Sequence, residues 1–144
     1  DSLTAGYGVG TDLAFPAVVG RLLEEAGHET LIVNSGVSGE TSAGGLTRID
    51  WVLGRELDVF VLELGANDGL RGLPIQQTMQ NLMDIIDKVK QKYPEAEIVI
   101  AGMMVPPNMG RAYASGFEDI YPDMALKYQA KLIPFLLEGV AGDQ

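Results

Sequence analysis

Ser2 stands between an acid and a glycine-rich run in "DSLTAGYG", with Gly6 and Gly8 close behind it. A serine so placed can cap a helix or sit in a solvated turn. It can also serve as a nucleophile on a tight turn between a strand and a helix. A serine that attacks an ester carbonyl needs hydrogen-bond donors aimed at the oxygen that becomes negative. Two other stretches carry such donors. Gly39, within "VSGET", offers a backbone N–H that can approach a substrate closely because glycine has no Cβ. Asn67, within "GAND", offers a side-chain amide. Glycine and Asn-Asp are also ordinary turn residues, so each stretch taken alone reads first as loop chemistry. What matters is whether the fold brings all three to one edge.

A serine nucleophile also needs a base. The chain has a single histidine, His28, and no cysteine, which removes disulfides and thiolate metal ligands. Catalysis through a histidine base therefore uses His28 or a base outside these 144 residues.

The elements that must position these groups are legible as apolar runs alternating with helical patterns, the mark of a parallel α/β sheet. "TDLAFPAVVGRLLEEAG" predicts a helix capped by Thr11 or Asp12, with Pro16 in its first turn and Gly27 past its end. "TLIVN" predicts a strand over residues 30–34, and "VFVLEL" a second that runs from Val59 into Gly65. Ile75, Met79, Leu82, Ile86, Val89 and Tyr93 recur at steps of three and four, with charges on the other face, so they predict a helix stopped by Pro94. "EIVIAGMMV" predicts a buried strand ending at Pro106 and Pro107. A last helix carries Tyr113, Phe117, Ile120 and Met124 on one face, with a kink expected at Pro122. "KLIPF" predicts a short final strand.

With right-handed crossovers, this order gives a doubly wound, flavodoxin-like parallel sheet in a three-layer α/β/α sandwich. In such sheets the sites form outside the carboxyl ends of the strands. "SGVSGETSAGG", "GANDGLRG" and "PPNMGR" each follow a strand, and "DSLTAGYG" reads as the turn after a first strand that the sequence lacks. His28 falls in a turn that leads into a strand, at the opposite edge. A strand of five or six residues spans about 17–20 Å, whereas a base must come within roughly 3 Å of its proton. His28 is thus a surface turn residue and not the base.

Composition limits the partners. Apolar residues make up 47% and charged ones 21%, so the chain buries a core as one domain. Twenty acids oppose ten bases for a net charge of −10, with no Lys/Arg cluster, so nucleic acid and anionic membranes are poor partners. The longest apolar run, about "IVIAGMMV", is too short to span a bilayer. No secretory signal is visible. Carboxylates at Glu40, Asp68 and Asp119 lie on loops without His or Cys, which argues against a cation site.

In this order and separation, "DSLTAGYG", "NSGVSGETSAGGLTR" and "GANDGLRG" resemble the first three sequence blocks of the SGNH (GDSL) hydrolases, and most of all the bacterial thioesterase I, lysophospholipase and arylesterase branch. The likeness continues through "PPNMGRAY", "FEDIYPDMA" and "LIPFLLEGV", nearly the whole chain. The resemblance implies that Ser2 is the nucleophile and that the Ser2 and Gly39 N–H groups and the Asn67 side chain form the oxyanion hole. It also implies a five-stranded flavodoxin-like sheet, a small ester or thioester substrate, no metal or organic cofactor, and a periplasmic or secreted location. Leu70 and Pro106, with Leu73 and Met109, are candidates to line an apolar groove for an acyl or aryl group, and Asn108 lies beside them. They read equally as loop anchors.

The sequence also departs from the family pattern. The first strand and the glycine before Asp1 are absent, and so is the Asp-x-x-His block that supplies the base and its orienting acid. Asp143 has no histidine three residues on. Residues 1–144 are therefore expected to be one SGNH-hydrolase-like domain, incomplete at both ends. Three other readings are a carbohydrate O-deacetylase of the same family, an inert fragment, and a flavodoxin-like binding module with "SLTAGYG" cradling a phosphate. The binding module leaves Asn67 without a role. His28→Ala should leave ester hydrolysis by the full-length gene product within about twofold of the parent, as expected for a surface change remote from the chemistry. A collapse comparable to that of Ser2→Ala, measured on p-nitrophenyl acetate, would overturn the sheet order argued here.

Overall fold

A computed structural model describes residues 1–141, so Asp143 lies outside the described residues. The chain has an α/β fold with a parallel sheet flanked by helices, and it divides into two compact units, Asp1–Glu40 and Thr41–Gln144.

The first unit opens with a single helical turn, α1 (Ser2–Ala5), capped by Asp1, whose carboxylate accepts from the Leu3 N–H at 3.0 Å. A 3-10 turn at Thr11–Leu13 precedes α2 (Phe15–Glu25). Neither Thr11 nor Asp12 caps α2. Ala14, in extended conformation, occupies the N-cap and Pro16 sits in the first turn. A helix that started earlier would bring Pro16 inside, where its missing N–H and its ring break the ladder. At the far end the Gly27 N–H donates to the Glu24 carbonyl and the His28 N–H to the Leu23 carbonyl, the two bonds of a Schellman motif. His28 is exposed there and closes the helix through its backbone.

Residues 30–34 depart from expectation, because they join no ladder and form no strand. Leu31 is 82% exposed and Val33 56%. Strand propensity records fitness for a pleated, half-buried surface, and the strand itself requires a hydrogen-bonded neighbour. Among the described residues that neighbour is missing.

The second unit contains the sheet. Strands β1 (Val59–Leu62), β2 (Glu97–Ala101) and β3 (Lys131–Ile133) run parallel in the order β1-β2-β3. Leu62, Ile100 and Leu132 share one row across the three strands. All three strands are shorter than the apolar runs that predict them. The β2 ladder ends at Ala101, and beyond it the Gly102 N–H donates to the Ile133 carbonyl at 2.7 Å. β3 ends before Pro134, which cannot donate to a ladder.

Helix α3 (Ser42–Val52) begins inside the stretch expected to be loop and packs on α5 (Ile75–Lys92), which in turn packs on α6 (Arg111–Tyr128). α5 buries Leu82, Ile86 and Val89 as its periodicity predicts, and Ile85 beside them. α6 passes through Pro122 as one helix and buries Phe117, Ile120, Tyr121 and Met124.

A short helix, α4 (Ala66–Leu70), follows β1 and lies tight against the loop after β2. A Cβ on Gly69 would stand 2.8 and 2.9 Å from atoms of the Phe117 ring, and closer still to Val105. Both neighbours are buried, with Phe117 fully so, and neither is a flexible side-chain end. Overpacking of this kind costs about 1–3 kcal/mol. Gly69→Ala should therefore lower the thermal midpoint of the full-length gene product by several degrees, despite alanine's better helix propensity of about 1 kcal/mol. An unchanged or raised midpoint would show that the contact has slack.

Candidate active site

Ser2 is the first residue of α1, and its hydroxyl is half-buried. The Gly39 N–H donates to Ser2 Oγ at 3.0 Å, although 37 positions separate the two residues. Three features of the intervening chain make this meeting possible. The Asn34 side-chain amide donates to the Thr4 carbonyl at 2.6 Å, and its oxygen accepts from the Gly36 N–H at 2.9 Å. This Asx turn lays the loop along α1. Gly36 then passes so close to the backbone of Thr4 and Ala5 that a Cβ could not fit. Finally, Gly39 adopts a φ of 76°, in the left-handed region where glycine carries no penalty. The loop, tied down by the Asn34 side chain, thus points a backbone N–H at the serine.

Asn67 belongs to the second unit. It is the second residue of α4, just beyond the carboxyl end of β1, in the first helical turn after Gly65. The next residue, Asp68, is 2% exposed. Its Oδ2 accepts from the Ser42 N–H at 2.8 Å, and its Oδ1 accepts from the Ser42 hydroxyl at 2.5 Å and the Thr78 hydroxyl at 3.3 Å. Ser42 Oγ in turn accepts from the Asn81 amide at 2.9 Å. Behind α4 the buried Tyr121 hydroxyl donates to the Leu64 carbonyl at 3.1 Å. Burial, and after it the charges of Asp68 and Glu63, push the Tyr121 phenol far above its ordinary pKa. Tyr121 therefore acts as a fixed donor at any working pH.

The remaining candidates lie on the same edge of the sheet as Asn67, since β1 and β2 are parallel and each loop follows a strand. Leu70 closes α4 and is 57% exposed. Pro106 and Asn108 are exposed in and beside the 3-10 turn Pro107–Met109. Among the described residues no group of three or more His, Cys, Asp or Glu side chains is placed to hold a metal ion. No helix among them is long and apolar enough to cross a membrane.

Several supporting residues escape sequence reasoning. The Asn-Ser-Gly run at 34–36 is a recognisable Asx signal at the end of an apolar run. Ser42, Thr78 and Asn81 carry no such signal, because Ser42 is an ordinary loop polar residue, Thr78 and Asn81 are ordinary polar residues in a helical pattern, and only the fold brings them to Asp68.

Comparison with known proteins gives the arrangement its context. Esterase TesA of Pseudomonas aeruginosa is 38% identical over 145 residues, covering 100% of this chain and 71% of that protein. The thioesterase 1/protease 1/lysophospholipase L1 of Escherichia coli K12 is 40% identical over 97% of this chain and 65% of its own length. The crystal structure of AlinE4, an SGNH-hydrolase family esterase, superposes with a TM-score of 0.93 at 42% identity, covering 99% of this chain and 76% of that one. The sequence pattern of the GDSL-like lipase/acylhydrolase family matches residues 1–144 from end to end, and with these relatives it establishes that the chain belongs to that family.

Proposed function

We propose that this chain carries the nucleophile and the oxyanion donors of a serine hydrolase acting on small carboxylic esters and thioesters through an acyl-enzyme. The observation that carries the reading is the Gly39 N–H held 3.0 Å from Ser2 Oγ by a loop that Asn34 ties to α1. A donor that touches the nucleophile at rest is within reach of the carbonyl oxygen once Oγ bonds to the carbonyl carbon.

The steps follow from these groups. A general base takes the Ser2 proton as Oγ adds to the carbonyl carbon, and the carbonyl electrons move onto oxygen. The Gly39 and Ser2 N–H groups and the Asn67 amide stabilise that oxyanion. Collapse breaks the bond to the alcohol or thiol, which leaves with the proton returned by the base. Water then repeats the sequence on the acyl-serine and releases the acid. The family's Asp-x-x-His supplies the base and its orienting acid in this scheme. That block does not occur in these 144 residues. Leu70 and Pro106, both exposed beyond the sheet edge, offer apolar surface to the acyl or aryl group, with Asn108 as a polar neighbour.

In the full-length gene product, Ser2→Ala should abolish p-nitrophenyl acetate turnover above the oxyanion-hole residue of rate. Asn67→Ala should lower kcat by about 10²–10³, the usual loss for one oxyanion donor, with little change in KM. Steady-state kinetics decide the matter. A loss confined to KM would make Asn67 a ground-state binder, and an active Ser2→Ala would end the reading.

A further inference from the structure

Asn67 has a neighbour whose burial the proposed chemistry leaves unexplained. Asp68 buries a carboxylate within α4, and every donor it meets comes from other helices: two from Ser42 at the start of α3 and one from Thr78 in α5. The network has a definite direction. The Gln77 amide donates to Asn81 Oδ1 at 3.0 Å, which orients the Asn81 amide to donate to Ser42 Oγ. The Ser42 hydroxyl proton is thereby directed at Asp68. Ser42 and Thr78 are 0% and 1% exposed, so water does not substitute for any partner.

We propose that Asp68 is a positioning residue for catalysis, which sets the Asn67 amide by locking the first turn of α4 to the N-terminus of α3. The proposal rests on the reading of Asn67 as an oxyanion donor. α4 is five residues long and its N-cap, Gly65, makes no side-chain capping bond. A helix this short has little stability of its own, and its placement is left to tertiary contacts. Asp68 makes three polar ones, all to other helices. Its carboxylate meets an open N–H at the positive end of the α3 dipole, a favourable pairing that also fixes direction. Asn67 and Asp68 are consecutive, so rotation or withdrawal of that turn moves both side chains. An oxyanion donor misplaced by a fraction of an ångström loses most of its effect.

The test uses the full-length gene product and p-nitrophenyl acetate. Kinetics are measured for Asp68→Asn and Ser42→Ala, each in the parent and in an Asn67→Ala background, with Ser2→Ala as reference. Asp68→Asn keeps the shape but turns a donor toward Ser42. It should lower kcat about 10- to 100-fold, the scale on which supporting partners act, with KM within about threefold. Ser42→Ala should lower kcat less. In the Asn67→Ala background each change should cost no more than about twofold, because residues that act through one another are not additive. Equal losses in both backgrounds, or an unchanged kcat in folded Asp68→Asn, overturn the proposal. Should Asp68→Asn lose its cooperative melt, Ser42→Ala carries the same test, as it deletes one hydroxyl and leaves the Ser42 N–H in place. Full activity in Ser2→Ala or Asn67→Ala would instead remove the underlying reading, and the proposal with it.

Discussion

A carboxylate taken out of water must find donors to replace the water it has lost, and a hydrogen bond to a charged group typically contributes about 1.5–3 kcal/mol. Asp68 satisfies that condition with the Ser42 N–H, the Ser42 hydroxyl and the Thr78 hydroxyl. These donors come from segments that follow different turns of the chain. Placing them around one pair of oxygens fixes where α3 begins, where α4 turns and which face of α5 is polar near its start. The buried apolar row of α5, from Leu82 to Val89, lies along the same helix. The polar contact sets the geometry, while the apolar surface supplies most of the stability.

The first unit meets a similar demand with one side-chain amide and backbone atoms. Its critical loop carries no buried charge. Asn34 closes an Asx turn on Gly36 and holds the Thr4 carbonyl, so the loop is tied to α1 at its root. Gly36 removes the one side chain that would keep the two backbones apart. What remains at the end of this arrangement is a single N–H on Ser2 Oγ. Replacing any member with a larger or non-bonding residue would act on the serine without touching it.

The segments that carry Ser2 and Asn67 are both short helices, four residues for α1 and five for α4. Neither could persist by helix propensity, since nucleation alone outweighs one turn of hydrogen bonds. Their stability is borrowed from neighbours, which is how a fold can present a serine and an amide at element ends without flexible loops. Binding and catalytic groups are found on such segments because the scaffold beneath them is rigid. The membership of this chain in the GDSL-like lipase/acylhydrolase family accords with that division between scaffold and site.

The broad α/β architecture is legible in residue types and order alone. Residue types nominate Ser2, Gly39 and Asn67 for the roles proposed above, and the buried stripe of α5 is legible because helical period and burial are linked. Helix ends were less legible. α2 starts after Ala14 and not at the capping residues Thr11 and Asp12, since Pro16 fits only its first turn. Residues 30–34 looked like a strand and formed none, because a ladder depends on a partner that local composition cannot supply. The clamp of Ser42, Asp68, Thr78 and Asn81 was invisible for the same reason. Hydrophobic period and turn chemistry are local, so sequence by itself determined most of the helical segments and the types of group a site could draw on. Hydrogen bonds between distant side chains depend on three-dimensional placement, so only the tertiary structure decided which polar residues hold those groups in position.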